Sequence, residues 1–394
     1  MSFQRIQNIP VFGQPLQNAV DQILVCDETA EHSALMADHH LGYSMPIGGV
    51  CAYDNQISPT GVGYDISCGN KAVRLAVDTD DVRRNIGPIM DEIWKTLSFG
   101  VGMKNKERVE HELFEDDPAW DVPIARSMKG LAREQLGTIG SGNHYVDVFV
   151  DEQDRVWIGA HFGSRGFGHK IASHFIHKRA PKVKLDHPVL FDADSDVGSE
   201  YIACMKLAGR YAYTGRDWVC DRVADMLSAD IVEEVHNHHN FAWEEEHFGR
   251  QYWVVRKGAT PAFPGQRGFV GGSMGDISVI LEGVDTDENR AAMYSTVHGA
   301  GRVMSRTQAA GRKRYRKGKP TRIKEGQISR SMMMSWVNER GVELRGAGTD
   351  ESPHCYKRLP EVLQAHGDTI RILHTLTPIG VAMAGEDEYD PYKD

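Results

Sequence analysis

Seven short glycine-rich blocks organise this chain: PIGGV, GVGYDISCGN, GTIGSGNH, HFGSRGFGH, RKGATPA, GGSMGD and HGAGR. Glycine clusters mark tight turns and places where backbones approach closely. Any one block fits an ordinary turn. The recurrent His, Asn and Ser partners do not, and they point to loops that converge on one site. No internal repeat is visible.

Between the blocks the pattern is mixed. Residues 78–99 read as an amphipathic helical stretch, broken at Gly87 and Pro88 so that Pro88 falls in the first turn of the second piece. Residues 197–227 read as a long helix, and 228–235 as its continuation with Ile231 and Val232 facing inward. Residues 146–150, 156–160, 252–255 and 278–281 read as strands. Strands and helices alternate without a regular βαβ rhythm, so the expected class is α+β with mainly antiparallel or mixed sheets. The chain has 394 residues and no linker-like segment. One domain over 1–394 is expected, ending in an acidic tail, 386–394.

Hydrophobic residues make up 41% and charged residues 25%, which is ordinary globular composition. No apolar run of about 18 residues appears, and the N-terminal segment lacks a signal-like apolar stretch, so a cytoplasmic protein without a membrane span is the default. The six cysteines form no CxxC pair and read mostly as small buried hydrophobes. The net charge of −10 argues mildly against a nucleic-acid partner. Its distribution matters more, because residues 302–330 hold eleven Lys/Arg against one acid, Glu325. On charge alone that stretch fits a solvated helix and loop as well as an RNA contact.

Asp65 and Cys68 stand three apart in GYDISCG, His144 closes GSGNH, His161 opens HFGSRG, and His239 lies in HHN. A carboxylate, a thiolate and several imidazoles suit borderline divalent metals, and a thiolate can bridge two of them. Two adjacent ions can orient an in-line displacement at phosphorus. A lone His in a glycine-rich loop is more often a hydrogen-bonding residue than a ligand. His169, His174, His236 and His238 are placed in that class, although spacing alone leaves His236, His238 and His239 ambiguous. His298, in STVHGAGRVMSR, is flanked by glycines that admit a bulky group, with Arg302 and Arg306 as charges for phosphate. A neutral imidazole can attack an α-phosphorus, and the competing readings are a sixth ligand or a structural His. Ser273, Met274 and Ser278 suit a nucleotide-binding turn. Neither a GxxxxGK[ST] loop nor a Rossmann fingerprint is present.

Taken together, MADHHLGYSMPIGGVCAYDNQISPTGVGYDISCGNK, GTIGSGNHYVDV, HFGSRGFGHKI, HHNFAWEEEHFG, RKGATPAFPGQRGFVGGSMGDIS, HGAGRVMSR, DESPHCYK and LTPIGVAMAG closely resemble the RtcB family of RNA ligases, in order and over nearly the whole chain. The resemblance implies helices around sheets that enclose a central metal cleft. It implies Asp65, Cys68, His144, His161 and His239 as ligands of two manganese ions, with His239 chosen on the Asn240-Phe241 pattern after it. It implies His298 as the nucleophile that takes guanylate from GTP. The guanylate pocket maps onto Asn143, His144, Tyr145, Val146, Asp147, His239, Asn240, Gly271, Gly272, Ser273, Met274, Ser278, His298, Gly299, Ala300 and Gly301. Tyr356 is expected to stack near the base and Arg165 to contact phosphate. The implied partners are GTP and broken RNA, tRNA among them, with a monomer as the expected state.

The chain departs from the family pattern at three points. The C-terminal VKG reads Met383-Ala384-Gly385, so the lysine that contacts guanine is missing. The Glu after NHF is Asp147, and the Pro of the PGSM turn is Gly271. These touch nucleotide recognition and point to a divergent paralogue, a repair ligase acting on particular broken RNAs. Three other readings stay open: an end-processing enzyme that does not seal, a non-catalytic RNA-binding relative, and a plain dinuclear hydrolase.

Overall fold

The computed structural model describes residues 3–106, 108–179, 186–316 and 319–386. Residues 317–318 of the basic stretch and 387–394 of the acidic tail lie outside the described residues. Two large sheets form the framework. The first has six strands in the spatial order Phe3–Ile6, Ile9–Phe12, His32–His40, Ile47–Tyr53, Arg250–Lys257 and Asn240–His247. The second runs Asp230–His238, Gly69–Ala76, Val156–Phe162, Tyr145–Asp151, Ile370–Gly385, Ser278–Gly283 and Arg267–Val270. Glu343–Ala347 joins it, parallel to Ile370–Gly385. Most pairings are antiparallel, which gives the expected α+β architecture with mixed sheets.

The second sheet nearly closes on itself. Asn70 Nδ2 donates to the Phe269 carbonyl at 3.0 Å, and Asn237 Oδ1 accepts from the Phe269 N–H at 2.9 Å. Buried side-chain amides thus satisfy backbone groups where the ladder stops. The central strands Tyr145–Asp151 and Val156–Phe162 are covered on both faces. In Tyr145–Asp151, Val146 and Val148 pack into one core with Ile158 and Val223. Tyr145 and Phe149 pack into another with Trp157 and Met274. That double burial explains why the strands read at 146–150 and 156–160 are apolar but for Asp147.

The helix Asp196–Met226 starts where the Ser195 hydroxyl accepts the Gly198 N–H at 3.1 Å. Tyr201, Cys204, Ala208, Tyr211, Ala212, Val219 and Val223 recur at helical spacing on its buried side. Residues 228–235 do not continue it. Ser228 adopts φ 50°, which ends the helix, and Asp230–His238 is a strand. Val232, expected to face inward, is 48% exposed. The earlier break also falls elsewhere: Asn85 separates the helices Thr79–Arg84 and Ile86–Thr96, which leaves Pro88 in the first turn of the second. All six cysteines are buried and unpaired. Among the described residues, no helix is long and apolar enough to cross a membrane.

Two features of the topology position the site. Asn70 and Tyr145 are both registered against His161, so three neighbouring strands bring Cys68, His144 and His161 to one edge of the second sheet. His239 is the single residue between Asp230–His238 of the second sheet and Asn240–His247 of the first.

Candidate active site

The His144 Nδ1–H donates to the Ile139 carbonyl at 2.9 Å, which leaves the lone pair on Nε2. That lone pair lies 3.1 Å from Asp65 Oδ2 and 3.5 Å from Cys68 Sγ. On the other side of the sulfur, His161 Nε2 lies 3.3 Å away. Donor atoms of Asp65, Cys68 and His144 all fall within 4.8 Å of one another, as do those of Cys68, His161 and His239. The two triads share Cys68. Ligands about 2.0–2.3 Å from one ion at tetrahedral angles sit roughly 3.5 Å apart, so these spacings suit metal binding.

The electrostatics agree with that. Burial pushes His161 and His239 well below the ordinary range, and neighbouring histidines add to the shift. Both rings are therefore neutral. His239 Nδ1 is buried and, among the described residues, has no hydrogen-bond partner. Burial would raise the Asp65 carboxyl, but its neighbours His144, Arg165 and Cys68 hold it down. Burial and the facing Asp65 push the Cys68 thiol up, so a thiolate there calls for a nearby cation.

Sequence reasoning passed over the residue that ties the donor loops together. Arg216 is fully buried in the long helix. It donates to the Ser67 carbonyl at 3.1 Å and the Phe162 carbonyl at 2.5 Å, next to Cys68 and His161. It also donates to His236 Nε2 at 2.8 Å and contacts His238 Nδ1 at 3.1 Å. Burial and Arg216 push His236 down to about 3, which keeps it a neutral acceptor. His236 and His238 thus face Arg216, and His239 faces the sulfur. A lone Arg amid helical residues gives no sequence signal for this role. Asn240 braces the same region, accepting from the Gly258 N–H at 2.7 Å and donating to the Asp65 carbonyl at 3.3 Å.

The His298 ring lies 4.9 Å from that of His239, centroid to centroid. Its Nδ1 is 2.6 Å from Oδ2 of Asp38, a fully buried carboxylate at the end of His32–His40. The N–H groups of His298 and Gly299 point at the same oxygen, at 2.9 and 3.3 Å. Burial alone would raise Asp38, but the His298 ring facing it holds it low, so it stays ionised. With Nδ1 turned to Asp38, Nε2 is the nitrogen available for chemistry. Asp38 was also missed. Its only signal was its place in the quoted MADHHLGY block. The glycine blocks do converge: a Cβ at Gly163 would run into Asp65, and one at Gly258 would meet Ile47 and lie 3.1 Å from the His298 ring.

Against this geometry, the family model described as tRNA-splicing ligase RtcB matches residues 20–123 and 119–384. The chain belongs to the RtcB family. It is 30% identical over 388 residues to the RNA-splicing ligase RtcB of Escherichia coli (strain K12), covering 89% of each chain. It is 31% identical to the tRNA-splicing ligases RtcB of Thermococcus kodakarensis and Archaeoglobus fulgidus, covering 89% of this chain and 87% of each relative.

The points at which the chain leaves the RtcB pattern have structural surroundings of their own. Gly271 packs so tightly that a Cβ would overlap the Tyr145 hydroxyl. The Tyr of GNHY and the Gly of GGSM thus fit each other. Gly271→Pro should lower the melting temperature by several degrees, an overpacking cost of about 1–3 kcal/mol. Adding Tyr145→Phe should recover most of it. Calorimetry of the two variants checks this, and equal melting of single and double variants would refute the steric account. Asp147 is buried, its Oδ1 has no hydrogen-bond partner among the described residues, and burial pushes its carboxyl well up, towards the neutral acid. Ser273 Oγ is also buried without a partner, while Ser278 accepts the Gly272 N–H at 2.9 Å. Ala384 packs into the core with Val146, and Met274 into the core with Tyr145. Ala300 is buried in a third core, so Val146 and Ala300 can serve a ligand only through their backbone.

The arginines differ from the sequence expectation. Arg302, assigned to phosphate, has its nitrogens engaged by Met304 O, Glu351, the Tyr356 hydroxyl and Asp350 O. Its guanidinium also covers the Tyr356 ring at 4.9 Å. Arg306 pairs with Glu351 at 3.1 Å and lies over Gly142, whose φ of 73° suits glycine. The basic stretch therefore begins with two arginines held by an internal acid; the helix Arg306–Ala310 and a hairpin, Gly311–Arg316 with Lys319–Glu325, follow. Arg165 behaves differently. Its guanidinium lies against Gly140 and contacts His144 Nδ1 at 3.1 Å, and its backbone sits at a strained φ of 56°. Among the described residues it has no carboxylate within ion-pair distance.

Proposed function

We propose that this chain is a GTP- and manganese-dependent RNA ligase that joins a 3′-phosphate end to a 5′-hydroxyl end. The observation that supports this best is the pair of donor triads sharing Cys68, set beside a histidine whose Nδ1 faces Asp38 at 2.6 Å. The names of the relatives, RNA-splicing and tRNA-splicing ligases, supply the substrate class.

Asp65, Cys68, His144, His161 and His239 would hold two divalent cations, whose chemistry when bound is to neutralise phosphate oxygens and favour in-line displacement. His298 Nε2 attacks the α-phosphorus of GTP. A nitrogen–phosphorus bond forms, and the bond to pyrophosphate breaks. Asp38 holds the ring and offsets its developing charge, as a carboxylate does for any catalytic imidazole. An oxygen of the RNA 3′-phosphate then takes the guanylate, and the bond to His298 breaks. The 5′-hydroxyl attacks the activated 3′-phosphorus, loses its proton to solvent, and GMP leaves. A 2′,3′-cyclic end is first opened by water, whose oxygen bonds to phosphorus as the bond to the 2′-oxygen breaks, leaving a 3′-phosphate and a 2′-hydroxyl. The Arg165 guanidinium, without an acid partner, suits a phosphate oxygen in these steps. The loop of Gly271–Met274, with Asp147 and Ser273, receives the base and ribose.

The test is sealing of a defined 3′-phosphate/5′-hydroxyl RNA pair in the presence of manganese, with GTP and ATP in parallel. Sealed product with GTP supports the reading. Opened cyclic ends or guanylylated 3′-ends without sealed product would instead identify an end-processing enzyme.

A further inference from the structure

The loop that follows Asp38 exposes apolar side chains beside the reactive centre. Leu41 is 56% and Tyr43 63% exposed. Such exposure is commonplace on a loose loop, but this loop is fixed. Gly42 donates its N–H to Gln22 Oε1 at 2.9 Å and accepts from Gln22 Nε2 at 2.6 Å. The Tyr43 carbonyl accepts from Lys257 Nζ at 2.5 Å, and the same ammonium reaches the Thr60 carbonyl at 3.2 Å. Lys257 is 5% exposed and has no carboxylate within ion-pair distance among the described residues. Burial pushes it down to about 8. A buried lysine without an acid partner is costly, and here it serves to hold the backbone of Tyr43 against the turn that leads to Asp65.

Tyr64 continues the strip. It follows the turn at Thr60 that Lys257 ties to the Tyr43 backbone, and it neighbours the Tyr43 phenol. Its ring lies parallel to that of His169, with centroids 5.4 Å apart and planes at 28°. The strip therefore starts one residue after the end of the His298-bracing strand, and Tyr64 stands one residue before the Asp65 donor. Lys170 is exposed next to His169, and Arg165 lies at the start of the same helix.

We propose that Tyr43, with Leu41, Tyr64 and His169, forms a stacking platform for the bases of the single-stranded RNA end that enters the site. The platform rests on the RNA-ligase reading. Its continuity with the reactive centre and its flanking cations favour a nucleic-acid strand over an apolar protein partner. Stacking on an aromatic ring tolerates any base, because every base has a π-face, and it presents the terminal phosphate to the residues beyond. A phenol whose backbone is already fixed loses little entropy on binding.

The experiment measures binding of a short single-stranded RNA with a 3′-phosphate to the full chain by fluorescence anisotropy. Tyr43→Ala should weaken binding roughly 5- to 100-fold. Tyr43→Phe should bind like wild type, as should Phe248→Ala, which removes an exposed aromatic outside the strip. The slope of affinity against salt should match wild type in Tyr43→Ala, because no phosphate contact is lost. A 2-aminopurine base near the RNA 3′-end should be quenched by wild type and Tyr43→Phe but not by Tyr43→Ala. Equal affinity of Tyr43→Ala and wild type would overturn the platform while leaving the ligase reading intact. A wild-type chain that bound no RNA would overturn both.

Discussion

Incubated with labelled GTP and manganese, the wild-type chain should retain an acid-labile nucleotide, and His298→Ala should retain at least about 10⁴-fold less. The size of the effect follows from the geometry. Nδ1 faces Asp38 at 2.6 Å, which leaves Nε2 for the phosphorus, while the imidazoles of the donor set are turned to other tasks. His144 is turned by Ile139, while His161 and His239 face Cys68. Acid lability is the signature of a nitrogen–phosphorus bond and distinguishes it from a serine or tyrosine ester. An adduct that persisted in His298→Ala would remove this residue as the nucleophile.

Cys68→Ala should lose the second large quantity, bound metal. Both donor triads use its sulfur, so removing one atom depletes two sites. After dialysis against excess manganese, metal per chain should fall to a small fraction of the wild-type value, and ligation should fall with it by at least about 10²-fold. Cys204→Ala is the control. Cys204 is buried in an apolar core, and its loss should leave metal content unchanged. Equal metal in Cys68→Ala and wild type would dispose of the shared-sulfur arrangement.

How much of this was legible in the sequence varies with physical cause. The glycine blocks, with their His and Asn partners, announced convergence because backbone crowding leaves a compositional trace. The runs 146–150 and 156–160 were readable as strands because burial on both faces makes them apolar but for Asp147. The misread stretch 228–235 follows a helix closely, and its mixed apolar and acidic residues fit either period until Ser228 ends the helix. Arg216 and Asp38 were invisible for another reason. Their roles depend on contacts across 149 and 260 positions of chain, and a local pattern carries no information about them. The fate of Arg302 was hidden in the same way, because Glu351 captures it from 49 residues away.

His239 alone separates a strand of one sheet from a strand of the other. An ion gripped by that ring, by Cys68 and by His161 would act as a rivet through the seam between the two halves. Losing it would then slacken mechanical coupling as well as chemistry, because His298 faces Asp38 of the first sheet while Cys68 leads into a strand of the second. Chelation should therefore register as faster amide exchange along both strands that meet at residue 239, in a chain that keeps its overall fold.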